Sequence, residues 1–570
     1  MKGLLEPFFF ECEMKIATFF VLALCWIVFD HFPPWTAFHT EAPAFVAATL
    51  ALVTCWRWSL LKIKLPAACL LPAAFTFLVV VQFGLGSLKY RGDALVTSIY
   101  IVTLVSAWLW GYQWVATGQR SDLIRSISVL LVVAAMLTAF QVFAQWLQVE
   151  VAFNGWVLEG LRNGRPRANV GQPNQAATIL LMGSVGAAVL RHRMRIGESV
   201  LWFITLFLGG AIILTQSRTA LLAAVTLSAA FFWFAKPTKD DPLKRISVVL
   251  WLCLLLCAAA WFPSLKWEAT GDGTVGIDQM ASIGTRPLIW KQLMIGLFES
   301  PWVGWGWLQV PAAQQAGALV FAGSEQTNYA HNAVLDLFIY LGIPAASVVL
   351  GVAGVWCWHR APRVLASKDA APAFLLLVPF LVHCLLEFPH AYAYFLVVAG
   401  LLLGGIDAWT EGENPKVLVV PKWAFTVFIV LWVTLLAATG YEYLQAEEDF
   451  RVNRFENIRL GETPPEYSPP KLVLLTQLGD MLNAMRLRAR PGMTTEELET
   501  LVNSSKRYSW AKLQFRTALS LGLNNRPAEA TQQLRVIKSL FAADIYEEAK
   551  ESWLRLQKEQ YPELGKVELP

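Results

Sequence analysis

The sequence predicts an all-α polytopic membrane protein with a soluble helical domain at its C-terminal end. Three observations carry this. Hydrophobic residues fill 56% of the 570 positions and charged residues 15%, with a mean hydropathy of +0.47, far from the balance of a soluble domain. About 12–13 apolar segments follow one another between Lys15 and Gly440, each near the length a helix needs to cross a bilayer. Beyond residue 440 the apolar runs give way to charged, amphipathic sequence. The formal net charge of +4 sits largely in short loops, which argues against a nucleic-acid partner.

The expected spans, in order, are 15–30, 43–58, 66–84, 94–117, 126–147, 174–190, 198–214, 219–235, 246–262, 332–358, 371–387, 391–408 and 423–440. No small-x-small cleavage site follows the first, so it reads as an uncleaved anchor, and Met14-Lys15 would itself make a conventional start. The loops Arg57–Lys64, Arg120–Arg125, Arg191–Arg195, Lys236–Arg245, Arg360–Lys368 and Lys416–Lys422 hold seventeen Lys and Arg; the longer loops on the other side hold nine. Positive charge stays cytoplasmic, so segments 148–173, 263–330 and the tail 441–570 are expected outside. The RHRMR run at 191–195 then reads as a positive-inside anchor. The Glu387-Phe388-Pro389-His390 break is either an outer turn or a kinked re-entrant element.

These boundaries divide the chain into a transmembrane catalytic domain, 1–440, and a helical domain, 441–570. The 148–173 segment contains LRNGRPRANVGQPNQ, rich in turn residues and donors. The 263–330 segment contains an amphipathic helix, RPLIWKQLMIGLFESP, suited to the membrane surface, and four tryptophans, Trp290, Trp302, Trp305 and Trp307, suited to the headgroup level. In the tail, Thr494 and Glu497 make a capping box. Ala511, Phe515, Ala518 and Leu519, followed by a turn at Asn524–Pro527, resemble a tetratricopeptide helix pair; a packed helical cap is the alternative. The eight cysteines lie in or beside the apolar half and have no disulfide or zinc spacing.

Against this charge pattern, Arg165, Arg218 and Arg286 stand out, because they lie on the outer side close to apolar segments. Arginines retained there call for an anionic partner. Arg218 lies in TQSRTALL at 215–222 and Arg286 in GTRPLIWKQ at 284–292; a third string, YAHNAVLDLFIYLG at 329–342, follows on the same side. In order and spacing these resemble the signature region of the O-antigen ligase and polymerase superfamily. RPRANVGQPNQAA at 165–177 and the helical tail resemble its protein-directed branch, the bacterial O-linked oligosaccharyltransferases called PglL.

The resemblance implies a GT-C-like membrane glycosyltransferase in the bacterial inner membrane, with its active site and C-terminal domain in the periplasm. It implies a glycan donor carried on undecaprenyl pyrophosphate and an acceptor hydroxyl on Ser or Thr of a pilin or another periplasmic protein. An O-antigen ligase or polymerase, using the same donor with a saccharide acceptor, is the alternative. A transporter or flippase would need broken or charged helices at the bilayer midplane and repeated halves, and the sequence offers little of either.

The chemistry assigns roles to residues. A glycosyl pyrophosphate carries a good leaving group, so cleavage needs charge stabilisation, which fixed guanidinium groups supply. Arg218 and Arg286 are the first candidates, with Arg165 and Arg167 as additions; snorkelling to lipid phosphate is the structural alternative for each. His331 suits the base that accepts the hydroxyl proton. His390, beside Glu387, is its rival. Tyr329 and Asn332 flank His331 as glycan or acceptor contacts, and Tyr392 joins them. Gln172, Asn174 and Gln175 either bond sugar hydroxyls and acetamido groups or cap the sixth span. His31, His39, His359 and His383 receive no role. No Asp-x-Asp occurs, and no metal or other cofactor is expected. A single displacement with inversion is expected, since no paired nucleophile is evident.

Overall fold

The computed structural model describes residues 2–59, 61–118, 120–153, 155–160, 165–234, 242–262, 284–412, 415–458, 460, 462–464 and 466–570. Residues 161–164 of the glycine-rich string, 236–241 of one basic loop, and 263–283, with Asp272 and Asp278, lie outside them. The chain is all-α; among the described residues there are 20 α-helices, and eight helical segments are long and apolar enough to cross a membrane. These are Phe38–Trp58, Ala67–Gly84, Arg91–Ala116, Ser121–Trp146, Pro173–Met194, Ala333–Ala366, Ala393–Thr410 and Lys422–Ile458. Four shorter apolar helices, Glu198–Leu214, Arg218–Trp233, Arg245–Trp261 and Ala370–Leu386, fall on four more of the expected spans. The first expected span overlaps the helix Lys2–Ala23 and the 3-10 turn Leu24–Trp26.

Three features depart from the sequence reading. Lys422–Ile458 is one helix of 37 residues, which runs unbroken past the change of composition at 440. The 62–66 segment, which bridges the end of the Arg57–Lys64 loop and the start of the 66–84 span, and the 417–421 segment inside the Lys416–Lys422 loop pair as an antiparallel two-stranded sheet with Lys62 opposite Pro421. Both strands are β-branched or Leu-rich and too short to register against a window sized for a bilayer span. The 263–330 segment contains a second helix, Val310–Val320, where one was expected. Its sequence VPAAQQAGALV carries two glutamines on an Ala- and Gly-rich background, so it shows no clear apolar stripe.

Contacts divide the chain into two compact units. The first comprises Met1–Ala74, Tyr100–Ser282 and Val352–Leu435. At its centre lies Pro173–Met194, buried along almost its whole length and packed against the helices Arg120–Trp146, Glu198–Leu214 and Ala370–Leu386. A helix buried all round needs apolar or small residues on every face, and TILLMGSVGAAVL provides them. Gln172 starts this helix, its side-chain oxygen accepting from the Gln175 N–H at 2.7 Å, with Pro173 at the first position. A 3-10 turn, Pro389–Ala391, joins Ala370–Leu386 to Ala393–Thr410.

The second unit comprises Phe75–Ile99, Ile283–Gly351 and Leu436–Pro570. Its helices Arg286–Glu299 and Val310–Val320 cross at a glycine contact, where a Cβ on Gly317 would lie 1.9 Å from the Gln292 carbonyl oxygen. Ala333–Ala366 breaks at Gly342, whose φ of 75° is open to glycine at little cost. The carbonyls freed by the break are met by the VGWGW segment. Trp305 N–H donates to Ile339 O at 2.7 Å and Gly306 N–H to Tyr340 O at 3.2 Å, while Ile343 N–H donates to Pro301 O at 2.7 Å.

The tail contributes the helices Thr476–Arg486, Thr495–Arg507, Ala511–Leu523, Pro527–Leu540 and Ala543–Glu559. Thr494 and Glu497 form the expected capping box. Within this unit the tail is joined to the 310–326 segment by backbone and side chain. Gln315 donates to Ser505 O at 2.9 Å, Ser539 donates to Ala318 O at 3.0 Å, and Gln326 N–H donates to Leu540 O at 3.2 Å. Arg507 pairs with the buried carboxylate of Asp93 at 2.9 Å.

Candidate active site

In the second unit the site is built around one strained residue. His331 has φ of +54°, a left-handed conformation that costs a residue with a Cβ on the order of 1–2 kcal/mol. The residue before it is held on both sides. Ala330 N–H donates to Asp336 Oδ1 at 2.7 Å, and Ala330 O accepts from the Trp290 indole N–H at 2.7 Å. The residue after it, Asn332, starts the helix Ala333–Ala366, its Oδ1 accepting from Val334 and Leu335 N–H at 3.0 Å each. Hydrogen bonds on both flanks therefore fix the turn that holds the half-buried imidazole.

Arg286 is the first residue of the helix Arg286–Glu299, one turn before Trp290 and on the same face. The helix that presents Arg286 is thus the one that grips Ala330. Tyr329 is fixed through its backbone, since Thr327 Oγ1 donates to its carbonyl at 2.6 Å. Thr327 is in turn held by Gln314, whose Oε1 accepts from Thr327 N–H at 3.0 Å. Gln314 and Gln292 are both fully buried and bonded to each other at 3.1 Å, so Gln314, one of the two glutamines that obscure the Val310–Val320 pattern, organises the loop before His331.

In the first unit, Arg165, Asn174, Ser217 and Glu387 form one hydrogen-bonded cluster. Arg165 Nε donates to Thr215 O at 2.8 Å and its Nη2 to Asn174 Oδ1 at 3.2 Å. Ser217 Oγ donates to the same Asn174 oxygen at 2.7 Å, and Asn174 Nδ2 donates to the buried Glu387 Oε1 at 2.9 Å. Ser217 also accepts from Ala220 N–H at 3.2 Å, which caps the helix Arg218–Phe234. Arg218, exposed at the start of that helix, is therefore tied through Ser217 to the Arg165 cluster. Gln175 is buried and accepts a hydrogen bond from Tyr394.

The turn bearing His390 and Tyr392 is anchored by Glu41, whose Oε1 accepts from Ala393 N–H at 2.7 Å and whose Oε2 accepts from the Trp35 indole at 3.2 Å. Glu387 accepts from Asn174. Arg167 is held by its backbone N–H to Gln145 Oε1 at 2.8 Å and by Nη2 to Glu159 O at 3.1 Å. Desolvation pushes its guanidinium pKa down from the ordinary value. Arg167, Gln172 and Tyr392 line a cavity of about 760 Å³, together with His31. His31 contacts Asn169 O at 2.7 Å and Thr36 O at 3.1 Å.

The structure thus groups Arg286, Tyr329, His331 and Asn332 in the second unit, and Arg165, Arg167, Gln172, Asn174, Gln175, Arg218, His390 and Tyr392 in the first. The sequence suggests the headgroup level for Trp290, whose indole N–H instead donates to Ala330 O, and assigns no role to Asp336, Ser217 and Gln145. Trp290, Asp336 and Ser217 lie inside the quoted strings, but as an indole, a first-turn carboxylate and a serine they carry no chemical signature until their partners are known. His31 was given no role and lines the cavity. His383, likewise without a role, is buried and contacts Thr178 Oγ1 at 2.8 Å.

Comparison with known proteins bears on this arrangement. Residues 203–350, which include TQSRTALL, GTRPLIWKQ and YAHNAVLDLFIYLG, match the family model described as O-Antigen ligase. Residues 372–555 match the model described as Virulence factor membrane-bound polymerase, C-terminal. A General O-oligosaccharyltransferase of Acinetobacter baylyi is 27% identical over 546 residues, covering 93% of each chain. A ComP-specific O-oligosaccharyltransferase of the same organism is 26% identical over 428 residues, 72% of this chain and 76% of that one. With its motif strings inside the ligase match and its length shared with the first relative, the chain belongs to the O-antigen ligase family, as a membrane oligosaccharyltransferase.

Proposed function

We propose that this protein transfers an oligosaccharide from an undecaprenyl-pyrophosphate carrier to Ser or Thr hydroxyls of a pilin or other protein on the outer side of the bacterial inner membrane. The observation that carries the reading is the strained His331 turn, fixed by Trp290 and Asp336. A backbone strain of this kind persists where surrounding bonds over-determine it, and such positions cluster at active sites. His331 accepts the acceptor hydroxyl proton as the oxygen attacks the anomeric carbon. The bond from that carbon to the pyrophosphate oxygen breaks, and the pyrophosphate leaves with its negative charge against Arg286 and Arg218, with Arg165 and Arg167 in support. Attack from the face opposite the leaving group inverts the anomeric centre. Tyr329, Asn332, Gln172, Asn174, Gln175, His390 and Tyr392 are the glycan and acceptor contacts.

The protein acceptor is supported by two facts. The relatives are named as O-oligosaccharyltransferases, one of them ComP-specific. The tail helices pack in the same unit as the His331 segment, which suits docking of a protein chain. A metal is unnecessary because the guanidinium groups perform the charge stabilisation that a divalent cation would supply.

The test is transfer in vitro with purified enzyme, undecaprenyl-pyrophosphate glycan and a pilin, read by intact-protein mass, with His331→Ala in parallel and with a chelator added. A glycan-sized mass gain that survives chelation and disappears in His331→Ala is the expected result. Transfer only to a lipid A core saccharide would move the protein to the ligase reading. Chelator-induced loss restored by a divalent cation would remove the metal-free mechanism.

A further inference from the structure

Within the first unit, the cavity of about 760 Å³ is lined by Arg167, Gln172 and Tyr392 and also by residues that the transfer chemistry does not use. It falls within the roughly 300–1,000 Å³ of small-molecule sites, room for more than one sugar ring. One wall is aromatic, formed by Phe29 and Phe32, with Phe32 half exposed. The other is polar and includes Asp30, Glu150, Glu159 and Arg167.

Two polar atoms of that wall lack hydrogen-bond partners among the described residues. They are Arg167 Nε, a donor, and Glu150 Oε2, an acceptor, both buried. A buried polar group left unmet is less favourable than a satisfied one. Both atoms belong to side chains that line the cavity, and a ligand that both donates and accepts suits such a lining. The rest of each side chain is already fixed: Glu150 Oε1 accepts from Gly160 N–H at 3.1 Å, and Arg167 Nη2 donates to Glu159 O at 3.1 Å.

A ligand with alternating hydroxyl donors and acceptors and an apolar C–H face has the chemistry of a pyranose. The rings of Phe29 and Phe32 suit the C–H face; Glu150 and Arg167 suit hydroxyl or acetamido groups. Three carboxylates against one guanidinium disfavour a negatively charged sugar. The neutral part of a glycan is therefore a good occupant.

We propose that this cavity is a subsite for neutral, hydroxyl- or acetamido-bearing sugar rings of the glycan, read by Phe32 and Glu150. The proposal rests on the oligosaccharyl-transfer reading and adds to it the place where the glycan is recognised. Gln172 and Tyr392, which also line the cavity, connect this place with the residues assigned to glycan contact.

The test uses the full-length enzyme in detergent and has two arms. Binding of free N,N′-diacetylchitobiose is followed by saturation-transfer NMR, and KM and kcat for the lipid-linked donor are measured in the transfer assay. Glu150→Gln and Phe32→Ala are compared with wild type after thermal melting has shown both to be folded. Each variant is expected to weaken disaccharide binding and to raise donor KM by about tenfold, the equivalent of one lost contact, with kcat within about twofold. Phe32→Ala keeps the test valid if Glu150→Gln fails to fold. Wild-type enzyme that does not bind the disaccharide, or variants whose binding and KM match wild type, would overturn the subsite. Wild-type binding that the variants lose, without transfer to any acceptor, would support the subsite and overturn the transfer reading instead.

Discussion

Trp290 donates its indole N–H to the carbonyl oxygen of Ala330 at 2.7 Å, so a residue of the Arg286–Glu299 helix sets the backbone immediately before His331. This bond makes one device of two strings that are about 40 residues apart in sequence. GTRPLIWKQ supplies a guanidinium and, one turn later, the indole that steadies the turn; YAHN supplies the imidazole. An argument from side-chain chemistry alone selects Arg286 and His331 and misses the tryptophan that couples them.

Replacing the indole while keeping the ring tests that coupling. Trp290→Phe removes one partly buried hydrogen bond, worth about 0.5–1.5 kcal/mol net, and frees the turn to drift. Transfer kcat is expected to fall about tenfold, with donor KM little changed, because a misplaced base costs rate more than binding. Steady-state kinetics on the pilin acceptor decide it. A kcat within about twofold of wild type would mean that Asp336 alone holds the turn.

His331 itself gives a stability prediction independent of activity. Its φ of +54° is penalised for any residue with a Cβ and is free for glycine. His331→Gly should therefore melt at a higher temperature than His331→Ala, by the equivalent of about 1 kcal/mol, while neither transfers glycan. Thermal unfolding in detergent measures the difference. Equal melting temperatures would show that the turn relaxes once the imidazole is gone.

How far the sequence foretells this arrangement differs from residue to residue. The spans are legible because a bilayer imposes length and apolarity together, and the helices cover every expected span. The Val310–Val320 helix escapes because Gln314 and Gln315 point inward to hold loop and tail backbone, which reverses the usual sense of an amphipathic pattern. The Lys62–Pro66 strand escapes because its partner lies more than 350 residues away. At the site, charged and titratable residues are legible by type, whereas Ser217, Trp290 and Asp336 acquire their parts only from contacts.

The Asn174 cluster shows the same dependence on contacts and can be tested as a unit. Asn174 Oδ1 accepts from Arg165 and Ser217 while its Nδ2 donates to Glu387. Glu387→Leu would leave the Asn174 amide unmet in a buried place, at about 1–3 kcal/mol. The double variant Asn174→Leu with Glu387→Leu should cost less than the two single changes added, because their shared bond is lost only once. Melting temperatures of the three variants give the coupling, and strict additivity would deny it. Transfer should be impaired in all three, since Arg165 and the cap of the Arg218 helix both depend on Asn174.

The pairing of Arg507 with Asp93 supplies the last prediction. The Asp93 side chain is fully buried, and that of Arg507 is 15% exposed. Arg507 meets both carboxylate oxygens, at 2.9 and 3.1 Å, while Gln309 donates to Asp93 Oδ2 at 3.1 Å. Burial works against the charge on Arg507, but the carboxylate beside it wins, so its pKa stands above the ordinary arginine value. Deleting one partner strands the other: Arg507→Met should cost about 3–5 kcal/mol, and pairing it with Asp93→Leu should recover most of that loss. If the double variant melts as low as the single one, the carboxylate matters through Gln309 and not through Arg507. If it melts near wild type but transfers poorly, the pair is kept for the placement of the tail helix Thr495–Arg507 against Gln309, where a purely apolar contact would hold the same elements without fixing their register.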